Sequence, residues 1–417
     1  MAFPTDEVLS EVYGEDAPRA AERLRALEAR HAEVFGAAGA GADLQFFTAP
    51  GRTEIIGNHT DHNGGKILAA SITMDSVGAA APTADGVITI VSEGYPDPIV
   101  VDTNALDQVP HEGGSRALVA GMCEAAVKRG YKVGGFNAVA SSEVIPSAGV
   151  SSSASFEMLV CEMLNHLYND DTIERADYAR IGQYAENVFW NKASGLMDQM
   201  ACAVGGTILL DFSDGVKYEK VDFGFDELGY NLVIVNTGKG HADLSEEYSS
   251  VPNEMHAVAA ELGVENLCQT TEDAVLDRLA ELREKCGDRA VLRALHYFEE
   301  CGRVEDVERA LSAGDKDAVL AAITASGNSS WEWLQNAYVS GMPQEQPIPM
   351  ALALTQIYLR RIGAGVCRLH GGGFAGVIMC ALPKDKTDGY VDYMAGYFGR
   401  DNVYLTNIRQ VGAACLG

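Results

Sequence analysis

Residues 49–62 read Ala-Pro-Gly-Arg-Thr-Glu-Ile-Ile-Gly-Asn-His-Thr-Asp-His. Pro50-Gly51 is a turn dipeptide. Arg52 follows it, and Thr53 to Ile56 carry the β-branched character of a strand. Gly57 then breaks the strand and delivers Asn58, His59, Asp61 and His62 on one loop. Amide, imidazole and carboxylate groups that converge in this way suit the hydroxyls of a sugar; the alternative is a plain polar loop. A second cluster, residues 149–157, reads Gly-Val-Ser-Ser-Ser-Ala-Ser-Phe-Glu before a helical pattern. Free amides and aligned dipoles at a helix N-terminus attract phosphate, and small residues let it approach the backbone. The alternative is a simple N-cap, with Glu157 completing a capping box. Asp198, between Met197 and Gln199, has the apolar neighbours of a partly desolvated carboxylate suited to base work, or of a structural acid. Residues 371–376, Gly-Gly-Gly-Phe-Ala-Gly, read alone as a tight turn.

These segments together resemble the galactokinases, within the GHMP small-molecule kinases. Their signature has the form Gly-Arg-x-Asn-Leu-Ile-Gly-Glu-His-Thr-Asp-Tyr-Asn. Gly51, Arg52, Ile56, Gly57, His59, Thr60, Asp61 and Asn63 fall on it without a gap. Asn58 stands where the pattern has Glu, and His62 where it has Tyr. The family's Gly-x-Gly-Leu-Ser-Ser-Ser-Ala-Ser loop is matched by Gly149, Ser151, Ser152, Ser153, Ala154 and Ser155, with Val150 for Leu and Ser147 for the earlier Gly. Glu186-Asn187 and then Gly195 to Gln199 follow the family's Glu-Asn and Gly-Ile-Met-Asp-Gln. Gly363, Ala364 and Arg368 lead into the late glycine motif. Residues 241–248 are similar to a His-x-Leu-x-x-Ser-Glu-Tyr segment ending at Tyr248. Between 328 and 345 the resemblance lapses.

The resemblance implies an α+β, two-domain GHMP kinase fold with the active site between the domains. It implies transfer of phosphate from ATP, with Mg²⁺, to the anomeric hydroxyl of galactose. Asp198 would be the general base, with Arg52 stabilising charge and keeping Asp198 ionised. Sugar would be held by Asn58, His59, Thr60, Asp61, Gly195 and Tyr248, and its identity would turn on Asn58. ATP would lie on Ser147, Ala148, Gly149, Val150, Ser151, Ser152 and Ser153, with Ser92 nearby. Ser153 and Glu186 would hold the metal, and the glycines of 371–376 would close the site beside the phosphate loop. Rival readings are a kinase for an arabinose, fucose, glucuronate or hexosamine-type sugar, a sugar sensor with a dead kinase site, and a metal hydrolase built on His59, Asp61 and His62.

Composition narrows the field. The chain has 417 residues, enough for about two domains, and 47% hydrophobic content, enough for large cores. A net charge of −28 repels phosphate backbones and anionic lipid, so neither nucleic acid nor membrane is an expected partner. Nine scattered cysteines with no C-x-x-C pair, no basic and apolar leader and no long apolar run point to the cytoplasm. No Walker-type phosphate loop and no protein-kinase motif set occurs. Oligomeric state is left open.

The elements that must position these residues follow from periodicity. Residues 16–35, 116–129 and 172–191 read as helices, and so does 154–168, where Phe156, Leu159, Val160, Met163, Leu164 and Leu167 form one apolar stripe. Strands are expected near 43–48, 53–57, 87–92, 98–102, 207–212 and 230–236. Helical patterns fill 253–263, 273–286, 288–301, 303–313, 316–337 and 349–361, before a glycine-rich strand region at 363–382. The natural cut lies near 210, giving an N-terminal domain of 1–210 and a C-terminal domain of 211–417.

Overall fold

A computed structural model describes residues 3–36, 44–146, 149–191, 194–238 and 244–417. Ser147, Ala148 and the start of the 241–248 segment lie outside the described residues. Twelve strands are described: β1 Gln45–Ile56, β2 Lys66–Pro82, β3 Val87–Ser92, β4 Ile99–Asp102, β5 Phe136–Ser142, β6 Thr207–Asp211, β7 Lys217–Val221, β8 Tyr230–Asn236, β9 Val366–His370, β10 Val377–Pro383, β11 Val403–Thr406 and β12 Ala414–Cys415. One sheet runs β12-β1-β2-β5-β3-β4, with β6 pairing β2 and β7 pairing β6. Among the described strands, β3 and β5 alone pair in parallel. A second, antiparallel sheet runs β11-β8-β10-β9. The cut at 210 falls inside β6, one residue before its end. Both β7 and the chain's final strand, β12, belong to the first sheet, and buried Arg409 donates to Asp75 Oδ2 of β2 at 2.9 Å.

The expected turn at Pro50-Gly51 is not a turn. β1 passes straight through it, with a register irregularity between Pro50 and Arg52. Pro50 has no N–H to give, which an irregular ladder position tolerates. Gly51 serves close approach instead: a Cβ there would lie 2.9 Å from the carbonyl oxygen of Val150. The neighbouring Arg52 amide donates to that same oxygen at 3.2 Å. The sugar-side strand is thereby locked to the phosphate loop by backbone contact.

β2 was not expected as a strand, since its Ala- and Ser-rich run has weak β character. It forms because β1 flanks it along its length while β5 and β6 share its other edge, which overrides propensity. The helix Ser152–Tyr168 has more than one apolar stripe buried. Glu157, Met158, Cys161 and Glu162 are buried together with Leu159, Val160, Met163 and Leu164. The helix Arg175–Phe189 packs on its other side, while Met197–Val204, not expected as a helix, packs against both it and strands β1 and β2. Truncating such core residues to Ala costs about 2–5 kcal/mol each. The patterns 288–301 and 303–313 merge into one helix, Asp288–Ala313, through Gly302. It packs on Ser245–Glu261 and Lys316–Ser329.

Candidate active site

The 51–63 signature, the Gly195–Gln199 segment and the late glycine motif line one cleft of about 170 Å³, and the phosphate loop reaches it through the bond from Ser151 to Asp198. Its lining includes Arg52, Glu54, Asn58, His59, Asp61, Gly195, Asp198, Tyr248, Gly371 and Gly372. A larger groove lined by Lys66, Glu305, Glu308 and Arg309 contains no motif residue.

Asp198 enters from the first turn of the helix Met197–Val204. Arg52 Nε donates to its Oδ1 at 2.7 Å, and Ser151 Oγ donates to Oδ2. Burial opposes charge on Arg52, but Asp198 beside it more than compensates, so the guanidinium is held more firmly protonated than usual. The Arg52 side chain is 6% exposed, whereas that of Asp198 is 31% exposed and reaches the cleft. Arg52 also donates through Nη1 to the carbonyl oxygen of Gly149.

The expected alternative of a serine N-cap does not form. Ser151 occupies the cap position of Ser152–Tyr168 in a left-handed conformation (φ +59°), and its hydroxyl makes no cap bond. Glu157 instead accepts from Gln199 Nε2 at 3.1 Å, so no capping box forms either. A non-glycine residue in that region of φ/ψ is strained and persists only where its surroundings demand it. The demand here is the bond to Asp198. The amides of the first helical turn remain without intrahelical partners, as at any helix start. Ser153 Oγ donates to Glu186 Oε1 at 3.0 Å, so the hydroxyl and carboxylate named as metal ligands do meet. Ser92 ends β3 beside Ala140 and is not among the cleft-lining residues.

On the sugar side, Gly195 lies so close to Asp61 that a Cβ would come within 2.2 Å of Asp61 Oδ2. His59 sits at φ +59° and donates from Nε2 to the carbonyl oxygen of Gly372 at 2.9 Å. Burial, and then nearby His62, push the His59 pKa down to about 4, so its ring is neutral at physiological pH. Among the described residues no group of three or more His, Cys, Asp or Glu is arranged to hold a metal. Thr60 is buried and outside the lining; its hydroxyl donates to Lys66 O at 2.7 Å and staples the loop. Tyr248 lines the cleft and donates to Gly373 O at 2.8 Å. Gly372 has no room for a side chain, because a Cβ would meet the Tyr248 ring at 2.2 Å.

Asn58 departs from the expectation that it offers its amide to sugar. It is fully buried, and Nδ2 donates to Glu54 Oε1 at 2.9 Å and to Gly371 O at 2.8 Å. Its Oδ1 accepts from Asn336 Nδ2 at 2.8 Å. Three further residues hold this region: Arg368, expected only as part of the lead-in to the glycine motif, and Glu300 and Asn336, which lie in no motif. Arg368 Nη2 donates to Glu54 Oε1 at 2.7 Å, with both side chains buried. Burial nonetheless pushes the Glu54 carboxyl up against the opposing pull of Arg368 and Arg52. Glu300 Oε1 accepts from the amides of Gly57 at 3.0 Å and Asn58 at 3.2 Å. Asn336, in the segment where the resemblance lapses, reaches across to Asn58. The available signal was Glu54 itself, which stands where the quoted pattern has Asn. Glu300 carried no signal, because an acid on a surface-like helical pattern looks solvated.

Glu300 yields a stability prediction. Burial raises its pKa, but His296, Arg368, Arg303 and Ser326 bring it down to about 2, well below the ordinary glutamate value. A depressed carboxylate stabilises the fold above its unfolded pKa and loses that contribution as pH falls through the folded value. The shift corresponds to about 3 kcal/mol. Glu300→Gln is expected to lower stability by about that much at pH 7 and to flatten its decline between about pH 5 and 2. Urea unfolding across that range measures it; parallel curves for variant and wild type would reject the assignment.

Family models match residues 29–82 as the galactokinase galactose-binding signature and 117–206 as the GHMP kinases N terminal domain. A galactokinase of Limosilactobacillus fermentum is 30% identical over 362 residues, covering 84% of this chain and 87% of the relative. That of Lactococcus lactis subsp. lactis is 29% identical over 379 residues, covering 88% and 89%. The crystal structure of Lactococcus lactis galactokinase complexed with galactose superposes with a TM-score of 0.80 at 25% identity, covering 94% of this chain and 99% of that one. A mevalonate kinase structure, at 15% identity and a TM-score of 0.60 over 88% and 99% of the two chains, shares the fold.

Proposed function

Because the chain belongs to the galactokinase family, we propose that its cleft binds galactose and ATP and transfers the γ-phosphoryl group to the sugar's anomeric hydroxyl. The observation that carries this reading is Asp198, held between Arg52 and Ser151 where the sugar loop meets the N-terminus of Ser152–Tyr168. Phosphoryl transfer needs positioning and charge neutralisation more than covalent chemistry.

Asp198 accepts the proton of the anomeric hydroxyl as that oxygen bonds to phosphorus. Its two oxygens accept from Arg52 and Ser151, which aims the carboxylate before transfer. Arg52 orients the carboxylate and favours its ionised form before transfer. Asp61 and His59 line the sugar side, with Gly195 leaving the room that Asp61 needs. Residues 147–153 and the first-turn amides of the following helix receive the phosphates. Ser153 and Glu186 supply two hard oxygen donors at that helix start, which fits Mg²⁺, an ion that takes few protein ligands beside substrate phosphates. Bound there, Mg²⁺ neutralises phosphate charge. The intact Asp198–Arg52 and Ser153–Glu186 pairs favour catalysis over a sensor. We further propose two domains meeting at this cleft. A cytoplasmic setting fits nine free cysteines, and among the described residues no helix is long and apolar enough to cross a membrane.

A panel of galactose, arabinose, fucose, glucuronate and a hexosamine, each with ATP and Mg²⁺, tests the reading. Galactose is expected to give the largest kcat/KM by ADP release, with phosphate on the anomeric oxygen. No turnover of galactose beside good turnover of another sugar would overturn the galactose assignment and leave a kinase of different specificity.

A further inference from the structure

We infer that Glu54 is the hydroxyl acceptor that selects a neutral sugar in this cleft, in place of the residue at position 58. The inference rests on the galactose kinase reading above and names a contact for it. In the signature quoted above, the fourth position holds Asn and the eighth Glu; here they are Glu54 and Asn58, the same two groups exchanged. The structure shows that the exchange is physical, because Asn58 Nδ2 and Glu54 Oε1 are 2.9 Å apart. Asn58 has no amide hydrogen left for a ligand, since both are taken by Glu54 and Gly371. Glu54 is in the opposite condition. It lines the cleft. Its Oε1 takes both Asn58 and Arg368, and no donor among the described residues reaches its Oε2.

A carboxylate oxygen is an acceptor only, so a ligand must bring it a donor. Sugar hydroxyls do so, and the bond is charge-assisted. A uronic acid brings a third carboxylate toward Glu54 and Asp61, which is repulsive in a partly buried site. Arg368 fixes the Glu54 carboxylate in place, and Asn336 fixes the amide that completes it. Asn336, within the segment 328–345 where the family pattern lapses, contacts Asn58 at the position where the signature departs.

The test uses the full chain with galactose and galacturonate. Calorimetry without ATP gives Kd, and steady-state assays give kcat and KM. Glu54→Gln is expected to raise the galactose Kd and KM by about 10- to 100-fold, with kcat changed only a few-fold. It is also expected to narrow the preference for galactose over galacturonate by about tenfold or more. Glu54→Asp keeps a charge beside Arg368 but withdraws the oxygen by one methylene; it is expected to keep the melting temperature and still lose galactose affinity about tenfold. A folded Glu54→Asp or Glu54→Gln with a galactose Kd within twofold of wild type overturns the inference, as does lower stability with unchanged Kd. If wild type turns over no galactose, the galactose reading fails by itself. The same Kd ratio, taken with the neutral sugar that wild type does phosphorylate, then decides the role of Glu54.

Discussion

Asp198→Asn is expected to lower kcat by about 10²- to 10⁴-fold, the usual cost of losing a positioned general base. The substitution keeps the shape of the side chain, and its oxygen can still accept from Arg52. It removes the negative charge that accepts the proton, and it deprives buried Arg52 of the counter-charge it is hydrogen-bonded to. Sugar affinity is expected to change little, because Asp61, His59 and the other sugar-side groups are untouched. The melting temperature is expected to fall modestly, since half of an ion pair is lost from a site where Arg52 is 6% exposed. Stopped assays of ADP release, with galactose binding by calorimetry, separate these effects. A folded variant that turns over galactose at near wild-type rate would remove Asp198 from the chemistry.

The second large effect is expected from Glu186→Gln, alone and with Ser153→Ala. The free Mg²⁺ concentration for half-maximal rate should rise by at least about 10–100-fold, a loss typical even of residues one step removed from a metal. Glu186 is buried and also accepts from Gln199 at 3.3 Å, so its position is set by the protein before any ion binds. Gln offers one neutral oxygen where Glu offers a charged one, and hard cations discriminate strongly between them. Ser153→Ala should add to the loss, because its hydroxyl lies 3.0 Å from the same carboxylate. Galactose affinity without nucleotide should be unchanged. An unaltered Mg²⁺ dependence in both variants would place the metal elsewhere.

Much of the site was legible in the chain. Ser153 and Glu186 are 33 residues apart, and Arg52 and Asp198 are 146 apart, yet both pairs form hydrogen bonds. Such residues were recognisable because each sits in a segment that resembles a galactokinase motif; the strand broken at Gly57 and the helix beginning near Ser152 were also readable from local pattern, whereas the helix Met197–Val204 that carries Asp198 was not. Elements with strong local patterns were equally legible, as with Tyr230–Asn236, whose bounds match the expected strand.

What the sequence determined by itself is therefore the chemistry: which groups are present, in what order, and which local backbone each one rides on. Only the tertiary structure decided how those groups are employed. Pro50-Gly51 reads as a turn until β2 and the phosphate loop flank it, and then it is a strand that Gly51 allows to touch Val150. Asn58 reads as a sugar ligand until Gly371 and Glu54 take both its hydrogens, and Glu54 reads as a strand residue until Arg368 fixes it in the cleft. Hydrogen-bond capacity is finite and is allotted among neighbours that folding brings from 4 to 314 residues away. Local sequence specifies the donors and acceptors; their assignment to protein or to ligand depends on which partners arrive, and burial makes each unmet group too costly to leave to chance.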